Sequence, residues 1–175
     1  MTFIQAVTHG FYGVIKMSSE LDKKAIKIAL EKLKMKSTRA PPDITSFTRW
    51  NPVSLRRISE VTVRANERAM MIRQDADTGE TIGWRYTDTS PSSTQIKITK
   101  EEALDIATKE IDLPDDAVLD SNELQTKGSA GYVYLVKWMH MIDNIEVEND
   151  YVIVKINPET KEVISATKNW SEVNE

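Results

Sequence analysis

The segment Asp75–Glu80, with the sequence DADTGE, has the acidic spacing with which a calcium-binding loop begins. Such a loop needs a third oxygen ligand at its fifth position, Gly at its sixth and Glu at its twelfth. Here the fifth position is Gly79 and the twelfth is Tyr86. Gly79 also stands where an Asp-x-Asp-x-Thr phosphotransfer motif requires Thr. We therefore interpret the segment as a structural turn, in which Asp and Gly have their usual roles.

His140 is the second residue whose type could do chemistry, as a base or as a metal ligand. The only other histidine is His9, which is far away in the sequence, and the chain has no Cys. Metal and acid–base sites recruit several groups, so a lone His more often serves packing or surface hydrogen bonding. Ser92, Ser93 and Ser129 lie in loops without a Gly-x-Ser-x-Gly context. The sequence therefore predicts no catalytic residue, no metal site and no cofactor, and we expect a protein that is not an enzyme.

Composition narrows the class of partner. The 175 residues carry a net charge of −4, which argues against a general nucleic-acid binder. No apolar run approaches the roughly 20 residues that span a bilayer. Residues 1–17 lack the basic and continuous apolar regions of a secretory signal. Whether the chain is cut from an exported protein is left open, and so is its localisation.

The elements of the first half are a helix and about three antiparallel strands. The helix begins near Ser18, which caps it, and ends near Lys36, before Pro41-Pro42. Residues 43–57 are not assigned, because Pro52 argues against a central strand there. Short strands are expected at Phe3–Val7 and Phe11–Met17. The main strands of this half are predicted at Ile58–Arg64, Met70–Gln74 and Thr81–Tyr86.

The second half follows a polar linker, Thr87–Gln95. A helix begins at Thr99, where Glu102 completes a capping box, and ends before Pro114. Residues 143–149 are expected to be a polar connection. The predicted strands of this half are Val118–Leu124, Tyr132–Ile142 and the two strands of the hairpin Tyr151–Thr167.

The hairpin occurs twice. Asp75 in the first copy matches Asn157 in the second, 82 positions later, and Thr78 matches Thr160. The two helices also align, at an offset of 78 positions. Helix and matching turn in the same order indicate that the chain is built from two copies of one unit.

The second copy resembles the PepSY domain, the peptidase propeptide and YpeB family. The resemblance rests on the helix Thr99–Ala107, on the Tyr-rich strand and on the hairpin YVIVKINPETKEVI. The first copy carries the more typical turn, Asp75–Glu80, whereas Lys161 replaces the usual Gly in the second. The resemblance implies an α+β fold of two tandem units, each one helix packed on a small antiparallel β-sheet, a cystatin-like arrangement. The predicted organisation is an N-terminal segment 1–17, a first PepSY-like unit 18–88, a linker 89–96 and a second unit 97–175.

The resemblance also implies a non-catalytic role, such as regulating or inhibiting a peptidase, or binding at the cell envelope. We expect a protein partner, a peptidase or a cell-envelope component, and no nucleic acid. The candidate partner-binding residues are the basic pair Arg56 and Arg57 and the aromatic side chains Trp138 and Tyr134. Two alternatives stay open: a purely structural accessory domain of a longer extracytoplasmic protein, and an enzyme with an unrecognised acid–base pocket. The oligomeric state and the exposed sheet face are not predicted.

Overall fold

The structure is a computed structural model, and its backbone divides into two compact units, residues 1–89 and 90–175. Near the N-terminus only the backbone of residues 4–5 and 14–15 is described. A turn is predicted at Thr8-His9-Gly10, between the two short strands, and this turn and the predicted helix ends at Ser18 and Lys36 lie outside the described residues. The described residues are 4–5, 14–15, 20–33, 42–52, 55–65, 68–87, 93–126 and 131–171.

The first unit contains a two-stranded ribbon, one helix and four longer strands. Its elements are β1 (Ile4–Gln5), β2 (Val14–Ile15), α1 (Glu20–Lys32), β3 (Asp43–Asn51), β4 (Arg56–Ala65), β5 (Arg68–Asp75) and β6 (Thr81–Tyr86). The strands β1 and β2 pair antiparallel, as the sequence predicts.

The four longer strands of this unit form an antiparallel meander in the order of the chain. Helix α1 packs on β4 and β5 and covers one face of them. Because side chains alternate between faces, the covered face carries the apolar residues of each strand. The core of the unit consists of Ala25, Ile26 and Ala29 of the helix and Val61, Val63, Met70, Ile72, Trp84 and Tyr86 of the strands.

The second unit contains one helix and four strands. They are α2 (Lys100–Glu110), β7 (Ala117–Thr126), β8 (Tyr132–Ile142), β9 (Ile145–Ile156) and β10 (Val163–Asn169). The capping box is confirmed: Glu102 N donates to Thr99 Oγ1, and Thr99 N donates to the Glu102 carboxylate, at 3.2 and 2.9 Å. The strands again pair antiparallel in chain order. Helix α2 packs on this sheet through Ala103 and Ala107, which are fully buried.

The predicted fold class is wrong. The described part of the chain is mostly one eight-stranded antiparallel sheet with only two helices, and not two tandem helix-on-small-sheet units of an α+β protein. The prediction underestimated the strands because it left residues 43–57 unassigned and placed a polar connection at residues 143–149. Strand content, rather than the number of helices, therefore sets the class.

The first missed segment is β3, Asp43–Asn51, which the sequence analysis left open because of Pro52. Pro52 comes directly after the last residue of the strand, so it ends β3 and does not interrupt it. The second is the start of β9, where a polar connection was predicted at residues 143–149. Asp143 and Asn144 have φ values of 50° and 65° and form a two-residue hairpin turn, so β9 begins at Ile145.

Candidate functional site

The first hairpin turn holds its acidic side chains in local contacts. Asp75 Oδ1 accepts hydrogen bonds from the backbone N–H groups of Asp77 and Thr78, at 2.8 and 2.9 Å. The Gly79 carbonyl accepts a hydrogen bond from Lys24 Nζ of α1, at 2.7 Å. This is the geometry of an Asx turn, in which the side chain replaces a backbone acceptor. The structural interpretation of Asp75–Glu80 therefore accounts for the positions of its oxygens.

The predicted basic pair lies beside this turn, and its members point to opposite faces of β4. Arg57 donates to the carboxylate of Asp77 from both Nε and Nη2. These hydrogen bonds hold the pKa of Asp77 below its ordinary value and raise the pKa of Arg57. Arg56 Nη1 lies 3.9 Å from Asp75 Oδ2. The pair thus contacts the turn, and binding of a partner by Arg56 and Arg57 stays a prediction.

Glu60 is a buried carboxylate at the centre of β4, with its side chain 6% exposed. Arg49 Nη2 of β3 and Arg73 Nε of β5 both donate to Glu60 Oε1, at 3.0 and 2.8 Å. Burial raises the pKa of Glu60, but the hydrogen bonds from the two arginines outweigh it and leave the pKa below its ordinary value. One carboxylate and two arginines thus join three adjacent strands.

The aromatic candidates of the second unit are in its core. Trp138 is 4% exposed and Tyr134 is 7% exposed. The Tyr134 hydroxyl lies 3.4 Å from the carbonyl oxygen of Ile98, to which it donates. Both side chains lie on the same side of β8, because residues alternate between the faces of a strand, and this side packs in the core. Neither side chain is accessible to a partner in this conformation, so our proposal for partner binding does not include Trp138 or Tyr134.

His140 has buried surroundings that the sequence analysis did not anticipate. Its Nδ1 lies 2.9 Å from Asp150 Oδ2, and its ring stacks on Trp170 with the centroids 4.5 Å apart. Its Nε2 lies 2.8 Å from Asp116 Oδ2, in a contact that does not have the geometry of a hydrogen bond. Asp150 also accepts from the N–H and hydroxyl of Ser171.

His140, Asp116, Asp150, Trp170 and Ser171 form one group of contacting side chains, which we call the His140 cluster. Burial raises the pKa of Asp150, but the hydrogen bonds from Ser171 and His140 outweigh it and leave the pKa below its ordinary value. Both ring nitrogens of His140 face carboxylates, and its side chain is 1% exposed. The Ser171 hydroxyl donates to Asp150 and not to the imidazole, so no Ser–His nucleophile–base pair forms. The cluster joins β8 and β9 to the residues that precede β7 and follow β10.

Strand β3 is the most exposed long element of the first unit. It pairs with β4 over nine consecutive residues, and no strand among the described segments pairs with its other edge. Phe47 and Trp50 are 51% and 57% exposed. A long, regular edge strand with exposed aromatic side chains is a template for another chain. This feature was not predicted from the sequence, because β3 itself was not predicted.

The comparisons with known proteins concern both the sequence and the fold. Residues 97–167 match the family model described as the peptidase propeptide and YPEB domain, PepSY. The fold is similar to that of the Bacillus megaterium YpeB C-terminal domain, with a TM-score of 0.58 and 11% sequence identity. That similarity covers 91% of this chain and 69% of the other. No curated protein matches the sequence. Among the described helices, neither is long and apolar enough to cross a membrane.

Proposed function

Because the chain is a PepSY-like protein, we propose that it binds a protein partner and regulates it without catalysing a reaction of its own. PepSY domains are generally non-catalytic, extracytoplasmic modules of protein interaction. The finer part of the proposal is that the partner is a peptidase or another component of the cell envelope. A further part is that residues 18–88 act as a PepSY-like unit alongside the matched residues 97–167.

The observation that supports this proposal is the exposed edge of β3. An extended segment of a partner adds to such an edge through backbone hydrogen bonds, and neighbouring side chains give the specificity. The nine residues of β3 include only two charged ones, Asp43 and Arg49, and all nine pair with β4 without a register shift. The devices that blunt an edge, such as Lys, Pro and bulges, are therefore missing between Asp43 and Asn51.

In contrast to β3, the edge strand of the second unit, β7, carries features that discourage strand addition. Its register shifts between Leu119 and Ser121, and it carries Asp120 and Glu123. Asn122 is further tied to the helix through a 2.7 Å hydrogen bond to the carbonyl oxygen of Lys100. A bulge and inward or flanking charges discourage strand addition. We therefore assign the partner to β3 and not to β7.

Two aromatic side chains give the β3 edge an anchor on each face. Phe47 is opposite Glu60 and Trp50 is opposite Arg57, so they point to different sides of the sheet. Exposed aromatic residues are enriched among the residues that dominate binding energy. An added strand would contact Phe47 with one set of alternate side chains and Trp50 with the other.

The test is affinity capture from the source organism, followed by binding measurements with the captured partner in purified form. The variant Phe47→Lys/Trp50→Lys should weaken binding at least tenfold, about 1.4 kcal/mol, because charges on an edge oppose strand addition. Ile145→Lys is the matched control, since Ile145 is 71% exposed but lies in the second unit. Hydrogen exchange should show protection of the β3 amides on binding. If the partner is a peptidase, its turnover should change on stoichiometric binding.

Two outcomes would reject the proposal. A purified partner that binds the double Lys variant as tightly as the wild type would remove β3 from the interface. Failure to capture any specific protein would favour the structural accessory domain. The enzyme alternative predicts turnover lost in His140→Ala, with the fold intact.

A further inference from the structure

We propose that the face of the first unit's sheet opposite α1 binds the acidic side chains of an extended polypeptide segment. This inference deepens the proposed function by giving the chemistry of the partner, and in that respect rests on it. We call this surface the arginine face. It is defined by five residues from four adjacent strands: Arg49, Arg56, Arg64, Arg73 and Arg85.

The strand register places these arginines on one face. Arg49 is opposite Ile58, and Arg73 is opposite Glu60, so both point to the same side as the even-numbered residues of β4. That side includes Arg56 and Arg64. Arg85 is opposite Met71. Met71 is two positions from Arg73 on β5, so Arg85 lies on the same face as Arg73. Helix α1 covers the other side, where Lys32 Nζ lies 4.2 Å from the ring centroid of Trp84.

The face already holds two carboxylates beside its arginines, Glu60 and Asp75, which shows what ligand it suits; Asp75 Oδ2 lies 3.9 Å from Arg56 Nη1. Arg49 and Arg73 both bind Glu60. Arg64 and Arg85 are exposed, and neither makes an ion pair within 4.0 Å among the described residues, although Asp43 lies opposite Arg64 in the pairing of β3 with β4. Arginine presents a planar fork of donors that matches a carboxylate, unlike the point charge of lysine. Because neither is held in an ion pair by a described residue, the two exposed arginines can each bind a carboxylate of a partner.

Charge distribution along the chain points the same way. All eight arginines of the protein lie in residues 1–89, which carry 15 Lys and Arg against 10 Asp and Glu. Residues 90–175 carry 8 Lys against 17 Asp and Glu. The first unit is thus basic although the protein is acidic overall. A protein of net negative charge is poorly suited to a nucleic acid or an anionic membrane, which respond to the whole field, but suits a short acidic segment held by local contacts.

Phe47 adds an apolar contact to the arginine face. It is opposite Glu60, two residues from Arg49, and 51% exposed. An extended segment presents alternate side chains on one side. We therefore expect a ligand with acidic residues at alternate positions and at least one apolar residue among them.

The test measures fluorescence anisotropy of a labelled peptide of about ten residues, the span of a long strand, in which Glu alternates with Thr. A peptide with Gln in place of Glu, single-stranded DNA of similar length and vesicles of anionic lipid are the comparison ligands. Wild type should bind the Glu peptide, and its affinity should fall as salt is added. Arg64→Gln/Arg85→Gln should weaken this binding about tenfold, because two charge-assisted contacts are lost.

The matched control is Arg57→Gln/Arg68→Gln, which removes the same charge from the same unit. Both of these residues lie on the α1 side of the sheet: Arg57 contacts Asp77, and Arg68 lies over the Tyr86 ring. This variant should change peptide affinity less than twofold. Equal losses in the two double variants, or equal binding of the Gln peptide, would overturn the inference.

Three further outcomes would overturn it. One is binding of DNA or vesicles as tight as that of the Glu peptide. Another is self-association of the wild type that Arg64→Gln/Arg85→Gln abolishes, which would make a second copy the occupant. The third is no peptide binding at low salt. Capture of a partner through β3 does not depend on any of these results, so the two proposals fail separately.

Discussion

Lys161 occupies, in the second hairpin, the backbone position that Gly79 occupies in the first. Their φ angles are 63° and 74°. The N–H of each donates to the carbonyl oxygen of the residue that enters the turn, Asp75 or Asn157, at 2.9 and 3.0 Å. The side chain of Asn157 accepts two backbone hydrogen bonds, as that of Asp75 does. The same turn is thus built once with Gly and once with a residue whose Cβ opposes this conformation.

We predict that Lys161→Gly stabilises the protein by about 0.5–1 kcal/mol relative to Lys161→Ala. Both variants remove the exposed pair between Lys161 and Glu102, which is worth about 0.5 kcal/mol or less. Only Gly relieves the left-handed strain, and part of that gain is offset by the greater freedom of Gly in the unfolded chain. Urea unfolding curves measure the difference.

The first hairpin supplies the converse control. Gly79→Ala should destabilise the first unit for two reasons. The residue would keep the left-handed φ of Gly79, and its added Cβ would lie 3.0 Å from Leu21 Cδ2. If Lys161→Gly were no more stable than Lys161→Ala, the second turn would not carry the strain that its φ indicates.

The local parts of this structure were predictable from sequence because their causes are local. Thr99 and Glu102 form their capping box within four residues, and Asp75 and Asn157 organise their turns through neighbouring N–H groups. The fold class was not predictable in the same way. Pro52 was interpreted as a strand breaker when it is a strand end, and the sheet was underestimated as a result.

The surroundings of His140 were hidden for a different reason. Counting back from the Asp143-Asn144 turn in regular antiparallel register would place His140 opposite Val147. The actual register shifts between Met139 and Met141, so that Met139 is opposite Tyr151 and Asp150 reaches His140. Asn149, with φ of 68°, lies in the extra segment. A bulge of this kind leaves no periodic signal in the sequence.

Gln74 gives the second prediction, because it is fully buried and neither polar atom of its amide has a hydrogen-bond partner among the described residues. Burying an unpaired amide costs about 1–3 kcal/mol. We predict that Gln74→Met, which keeps a similar volume, raises the free energy of unfolding by about 1 kcal/mol. Gln74→Ala is the control and should lower it, since it leaves a cavity. A less stable Met variant would show that the amide is hydrogen-bonded in solution.

The third prediction concerns the pH dependence of the His140 cluster. The pKa of Asp150 is below its ordinary value in the folded protein. A depressed folded pKa means that the unfolded chain binds the proton more readily, so the carboxylate contributes stability above its unfolded pKa, about 3.9. That contribution is lost as pH falls through the folded pKa. The groups that face the Asp150 carboxylate are His140 and Ser171, and Asp116 lies on the other side of the imidazole.

We therefore expect Asp150→Asn to destabilise the second unit by about 1.5–3 kcal/mol at pH 7, the range for hydrogen bonds to a charged group. The difference from wild type should shrink below about pH 4.

Asp116→Asn is the matched control. The Asp116 side chain is 48% exposed and its contact with His140 does not have the geometry of a hydrogen bond, so its loss should cost less than about 1 kcal/mol. Unfolding followed by hydrogen exchange of the β8 and β9 amides, at pH 7 and near pH 3.5, measures both variants. A constant difference between Asp150→Asn and wild type at the two pH values would show that the Asp150 charge does not stabilise the cluster. Equal costs for the two Asn variants would show that the buried hydrogen bonds contribute no more than the exposed contact.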